Sequence, residues 1–138
     1  MAGGASSRMK RSLDQSQLGT AQKVKAQKLH KSLIPLSSGG QPLLYYLIKN
    51  AHAAGYKRIY LITSEENQGF KEFLNQWGQE VFFSNLHIYF APQKVPSGRE
   101  KPLGTADAVL QALEQYPELK TTPFTVCNGD NLYSTHVL

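Results

Sequence analysis

From Gln41 onward the apolar positions change period block by block. Leu43, Leu44, Leu47, Ile48 and Ala51 share one helical face, Pro42 suits a first helical position, and Gly55 marks the end. Arg58 to Thr63 (RIYLIT) is short and rich in β-branched and aromatic residues, which predicts a buried strand. Ser64 is placed to cap a second helix, in which Phe70, Phe73, Leu74 and Trp77 recur at helical spacing before Gly78. His87 to Ala91 predicts a second strand and Phe124 to Cys127 a third. Between those two, Thr105 is placed to cap a helix carrying Ala108, Val109, Ala112 and Leu113, stopped by Pro117.

Alternating strands and helices with short apolar strand runs argue for an α/β domain with a mainly parallel sheet. In such sheets ligands gather beyond the carboxyl ends of the strands. Three loops are expected at that edge, after Ala2, after Ala91 and after Cys127. Met1 and Ala2 read as the tail of a strand, and Asn131 to Leu138 follow a strand and turn, so part of a larger fold is expected. Ser12 to His30 is polar and lysine-rich with no core face. It reads as a mobile basic insertion, with Thr20 to His30 suited to a surface helix.

Composition narrows the class. The 138 residues make one domain, and 41% apolar with 18% charged residues describes a folded chain. The longest apolar run, Leu43 to Ile48, is far short of a membrane span. A single cysteine, Cys127, excludes an intramolecular disulfide and suits a reducing, cytoplasmic setting. The net charge of +5 is unevenly spread: residues 1–31 hold seven Lys/Arg against Asp14 alone, while the remainder holds eight basic and nine acidic residues. The excess therefore points to a local anionic partner near the N-terminus. An organellar transit peptide is the competing reading of that composition, opposed by Gly3 and Gly4, which weaken an amphipathic helix.

Four short stretches carry candidate chemistry. AGGASSRM, Ala2 to Met9, is a Gly/Ser turn whose backbone N–H groups suit an anion, with Arg8 and Lys10 behind it. It has neither the lysine and serine/threonine of a P-loop nor the third glycine of a dinucleotide fingerprint. KSLIPL, Lys31 to Leu36, sets a lysine before an apolar turn. Gln93 is followed by GTADAV from Gly104, where glycine permits close approach of a planar base and a carboxamide both donates and accepts at a base edge. NGDN, Asn128 to Asn131, puts Asp130 at a predicted strand end, where a carboxylate suits a hard cation. Taken singly, a surface turn, a solvated lysine, a capping glycine and a turn aspartate explain them equally well.

As an ordered set they resemble the sugar-phosphate nucleotidyltransferase family, whose NDP-sugar pyrophosphorylase-like members join a nucleoside triphosphate to a phosphorylated sugar or alcohol. The resemblance covers nearly the whole chain and corresponds to the N-terminal, nucleotide-binding half of the family's domain. It implies a three-layer α/β/α Rossmann-like (GT-A-like) fold with a mainly parallel sheet, truncated here. The interval from Arg8 to Lys31 and that from Gln93 to Gly104 are both longer than the family pattern. The family's second metal-binding aspartate and most of its sugar pocket belong to a later half.

The resemblance further implies roles. Ala2, Gly3 and Gly4 would cradle the triphosphate, and Arg8 would offset charge on leaving pyrophosphate. Lys31 would hold the α-phosphate or the acceptor phosphate. Gln93, Gly104 and Thr105 would contact the nucleotide, and Asp130 would carry Mg²⁺. Its partners would be a nucleoside triphosphate and a phosphorylated sugar or alcohol, with neither membrane nor nucleic acid required. Cys127 is expected to be a buried strand residue, Asp107 to face outward as a helix-dipole partner, and the four histidines lack metal-ligand spacing. Two other classes stay open: a nucleotide-binding regulatory relative without catalysis, and a basic α/β module for RNA or another polyanion, against which no stacking aromatics accompany the lysines.

Overall fold

The computed structural model describes residues 30–36 and 38–138. The Gly-rich start with Arg8, the basic segment and all but the last residue of the helix expected over Thr20 to His30 therefore lie outside the described residues.

Four α-helices and two strands follow a short 3₁₀ turn at Lys31–Leu33: α1 Leu43–Ala53, β1 Arg58–Ser64, α2 Gln68–Trp77, α3 Val81–Ser84, β2 His87–Gln93 and α4 Thr105–Gln115. A second 3₁₀ turn spans Pro117–Lys120. The helix starts differ from expectation by one to three residues. Pro42 is the N-cap of α1, with no N–H to lose, and the helix begins at Leu43. Asn67 takes the N-cap position of α2, because the Ser64 hydroxyl donates to the Glu66 carbonyl inside the β1–α2 turn. Gly104, not Thr105, is the N-cap of α4.

β1 and β2 run parallel in register, from Arg58 opposite His87 to Ser64 opposite Gln93. Alternation along the strands divides their side chains between two faces. Leu61 joins α1, α2 and α3 in one core with Leu44, Ile48, Phe70, Phe73 and Phe83, against which Ile59, Ile88, Phe90 and Trp77 pack. Ile62 and Ala91 join the opposite core with Ala108 and Ala112 of α4. Helices thus cover both faces of the sheet, in the three-layer arrangement expected. Edge-to-face contacts of Tyr45 with Trp77, 5.3 Å between centroids, and with Phe82, 5.4 Å, lock the larger core.

The third strand does not form among the described residues. Residues 123–127 take no regular structure, the sheet contains only β1 and β2 among the described residues, and Phe124 and Val126 remain 46% and 47% exposed. A strand is defined by its ladder, and no described neighbour lies in place to pair with this one. Cys127 is accordingly half-buried in a loop, where burial pushes its thiol upward from its ordinary value.

Candidate functional site

Because Ser64 and Gln93 are partners in the register, the carboxyl ends of both strands lie on one edge. The first grouping joins the two ends of the described chain. Lys31 opens the first 3₁₀ turn, which is anchored beneath it: Ser32 is fully buried and its hydroxyl bonds His30 Nδ1 at 2.8 Å. Leu33 enters the main core, and a Cβ on Gly69 of α2 would meet its Cδ1 at 3.2 Å. Anchored this way, the lysine keeps its ammonium group outward. Its Nζ stands 3.9 Å from Asp130 Oδ2, with the side chains 37% and 50% exposed.

Asp130 is set by a turn in which the Asn131 N–H donates to the Asn128 carbonyl at 3.2 Å. Gly129 is buried beneath it. The Tyr133 hydroxyl accepts from the Asn128 N–H and from Asn131 Nδ2, both at 3.3 Å. The carbonyl of Tyr133 in turn accepts from Asn50 Nδ2 of α1 at 2.8 Å. One helix side chain therefore holds the tyrosine that holds the aspartate's turn. Sequence reasoning missed Asn50 and Tyr133. The only available signal was a tyrosine just after an Asn-Gly-Asp-Asn turn, and nothing local pairs it with Asn50.

The second grouping sits at the end of β2. Gln93 is buried, and its Nε2 donates to the Gly104 carbonyl at 3.1 Å and to Asp107 Oδ2 at 2.7 Å. The same carboxylate oxygen accepts from Gln111 Nε2 at 2.9 Å. Gln111 also brackets the backbone of Lys94, accepting from its N–H at 2.7 Å and donating to its carbonyl at 3.1 Å. These bonds close the loop of residues 94–103 onto α4. Asp107 does not face outward as expected, because a buried carboxamide needs an acceptor and the carboxylate of the first helical turn supplies it. Gly104 adopts φ 109°, ψ −163°, a backbone region open in practice only to glycine, and nothing lies within 4 Å of where a Cβ would stand. Thr105 beside it is exposed.

The structure thus brings together Lys31 with Asp130, and Gln93 with Gly104, as two groupings. Ala2, Gly3, Gly4 and Arg8 lie outside the described residues. Chemically, the first offers a cation and a hard oxygen donor side by side in reach of solvent. The second offers a rigid glycine opening with free space over it. Among the described residues no three His, Cys, Asp or Glu side chains gather to hold a metal by themselves, and no helix is long and apolar enough to cross a membrane.

The Nucleotidyl transferase family model matches residues 26–138, taking in both groupings. The chain belongs to this family, and it forms part of a nucleotidyltransferase domain. No significant match emerged among curated proteins or solved structures.

Proposed function

We propose that this domain transfers the nucleotidyl group of a nucleoside triphosphate to a sugar-1-phosphate or related phosphorylated alcohol, with Mg²⁺, releasing pyrophosphate. A phosphate oxygen of the acceptor attacks the α-phosphorus, the bond from that phosphorus to the β-bridging oxygen breaks, and the electron pair leaves with pyrophosphate. Such chemistry asks the protein mainly to position anions and offset their charge. The approach of Lys31 to Asp130 across the length of the described chain is the observation that supports this reading.

Lys31 would hold the α-phosphate or acceptor phosphate, its reach fixed by the buried Ser32 below it. Gly104 would let the base lie flat against backbone, with Gln93 and Thr105 beside it. Ala2, Gly3, Gly4 and Arg8 are assigned from the motif alone, as cradle and as counter-charge to pyrophosphate. Asp130 fits Mg²⁺ in kind: a half-exposed carboxylate suits a hard cation that takes its other oxygens from phosphate and water. When bound, Mg²⁺ neutralises charge shared among phosphate oxygens.

A thermal-shift panel of ATP, GTP, CTP, UTP and dTTP, each with and without Mg²⁺, tests the reading. Ligand at 100 times Kd adds about 2.7 kcal/mol of stability. A Mg²⁺-dependent shift for one base is expected. Silence for all five in a cooperatively melting chain, with salt-sensitive RNA binding instead, would overturn it in favour of a polyanion module.

A further inference from the structure

Asn67, the N-cap of α2, is only 8% exposed, yet its carboxamide has no hydrogen-bond partner among the described residues. The side chain does not cap its own helix, and Phe70 and Lys71 donate instead to the Asn67 backbone carbonyl, at 3.0 and 3.2 Å. A polar side chain this buried is normally bonded, so an exception asks for a partner from elsewhere. Gln93 shows the contrast: its Nε2 already donates to Gly104 and to Asp107. Among the described residues no fully enclosed side-chain nitrogen or oxygen lacks a partner. The small exposure left to Asn67 therefore includes its carboxamide, which reaches solvent at the mouth of the helix.

Two backbone donors are free at the same place. The N–H groups of Gln68 and Gly69 make no hydrogen bond among the described residues, as the first N–H groups of a helix do when no side chain caps them. The first turn carries no acidic side chain to compete for them. Glu65 and Glu66 precede it, but both are exposed, so solvent and salt screen their charge. The 3₁₀ turn of Lys31 packs against this end of α2. Its flanking residues hold it there: the His30 ring lies 5.5 Å from that of Phe70, and a Cβ on Gly69 would meet Leu33 Cδ1 at 3.2 Å. Lys31, between those two residues, brings a cation to the same end of the helix.

We infer that the start of α2 is a phosphate site, in which the Gln68 and Gly69 N–H groups and Asn67 Nδ2 donate to the oxygens of one phosphate group. All but one of the free polar groups at the mouth are donors, and the positive end of the helix dipole lies behind them, which suits an oxyanion and not a cation. The tetrahedral oxygens of phosphate can meet donors that converge from a turn and a side chain at once. The phosphate has two possible sources, a phosphomonoester or the free inorganic ion. The inference does not depend on the proposed transfer reaction, because it concerns a single oxyanion and uses neither Asp130 nor Gly104.

Titration of the protein with inorganic phosphate at constant ionic strength, followed by amide NMR, tests this directly. Saturable shifts of the Gln68 and Gly69 amides are expected with phosphate and not with chloride. Glucose-1-phosphate, added in the same way, separates the sources: tighter binding than that of inorganic phosphate assigns the site to a phosphomonoester, and equal or weaker binding assigns it to the free ion. Asn67→Asp is expected to melt within a degree or two of the parent, because aspartate is as good an N-cap and its charge favours the helix dipole. The same variant is expected to bind phosphate about ten-fold or more weakly, since a carboxylate replaces a donor and repels the anion. A residue that served only as a cap would not separate those two readouts. Unmoved amides in a cooperatively melting protein would overturn the inference, as would equal shifts with chloride or undiminished phosphate affinity in Asn67→Asp. Should that variant fold poorly, the amide shifts of the parent decide.

Discussion

Gln93 Nε2 and Gln111 Nε2 converge on one oxygen of Asp107, at 2.7 and 2.9 Å, and that oxygen fixes both the end of β2 and the start of α4. Asp107→Ala removes the shared acceptor and leaves a buried carboxamide hydrogen without it. Leaving such a donor unsatisfied costs about 1–3 kcal/mol. Thermal melting is expected to fall by several degrees, and nucleotide affinity to fall with it because the loop of residues 94–103 loosens. An unchanged melting temperature would show that the loop does not depend on this oxygen.

The Asp130 turn depends on a hydroxyl group. Tyr133→Phe keeps the ring and deletes the acceptor of the Asn128 and Asn131 donors. Two exposed, long hydrogen bonds contribute modestly, so a stability loss of about 1 kcal/mol is expected. The larger effect is expected on the Mg²⁺-dependent part of nucleotide binding, measured as the difference between affinities with and without the ion. Equal weakening with and without Mg²⁺ would detach the tyrosine from Asp130.

Both strands and the main helices were legible in the sequence because apolar periodicity reports burial directly. RIYLIT and HIYFA fell where β1 and β2 stand. The third strand was misread for a reason periodicity cannot show: Phe124 to Cys127 has strand composition, but a ladder needs a partner. The two candidate groupings were partly legible. Lys31, Gln93, Gly104 and Asp130 stood out as ordered motifs, whereas Asn50 and Tyr133 act through tertiary contacts, and Asp107 was misplaced because its donors come from β2 and a later turn of α4.

Alkaline pH is expected to destabilise the fold before acid chemistry matters to its tyrosines. Tyr45 donates to Glu80 Oε2 at 2.6 Å, and that bond, reinforced by burial, pushes its phenol up to about 12. Burial, then a bond to Glu118, raises Tyr60 as well. A raised phenol retains its proton in the folded state after the unfolded chain has lost it near pH 10. The stabilisation is therefore complete below about pH 10 and is lost as pH rises toward 12. Melting temperatures across that window should fall, and Tyr45→Phe should make the fall shallower. A parallel decline in parent and variant would remove Tyr45 from the account.

Lys31 is expected to matter for ligand and not for stability. An exposed pair at 3.9 Å contributes at most about 1 kcal/mol. Lys31→Met should melt within a degree or two of the parent while losing about ten-fold or more in triphosphate affinity. A variant that binds as the parent does would leave the lysine as surface charge only.

Gly104 separates two reasons for a glycine. Its φ of 109° with ψ −163° strains any residue bearing a Cβ, at about 1–3 kcal/mol, although the space a Cβ would enter is empty. Gly104→Ala should therefore destabilise the chain by that amount whether or not a ligand binds. If the empty space is where a base lies against the backbone, affinity should fall by more than the change in folding predicts. If stability falls and affinity measured on the folded fraction does not, the glycine serves the turn alone, and base recognition moves elsewhere on the edge.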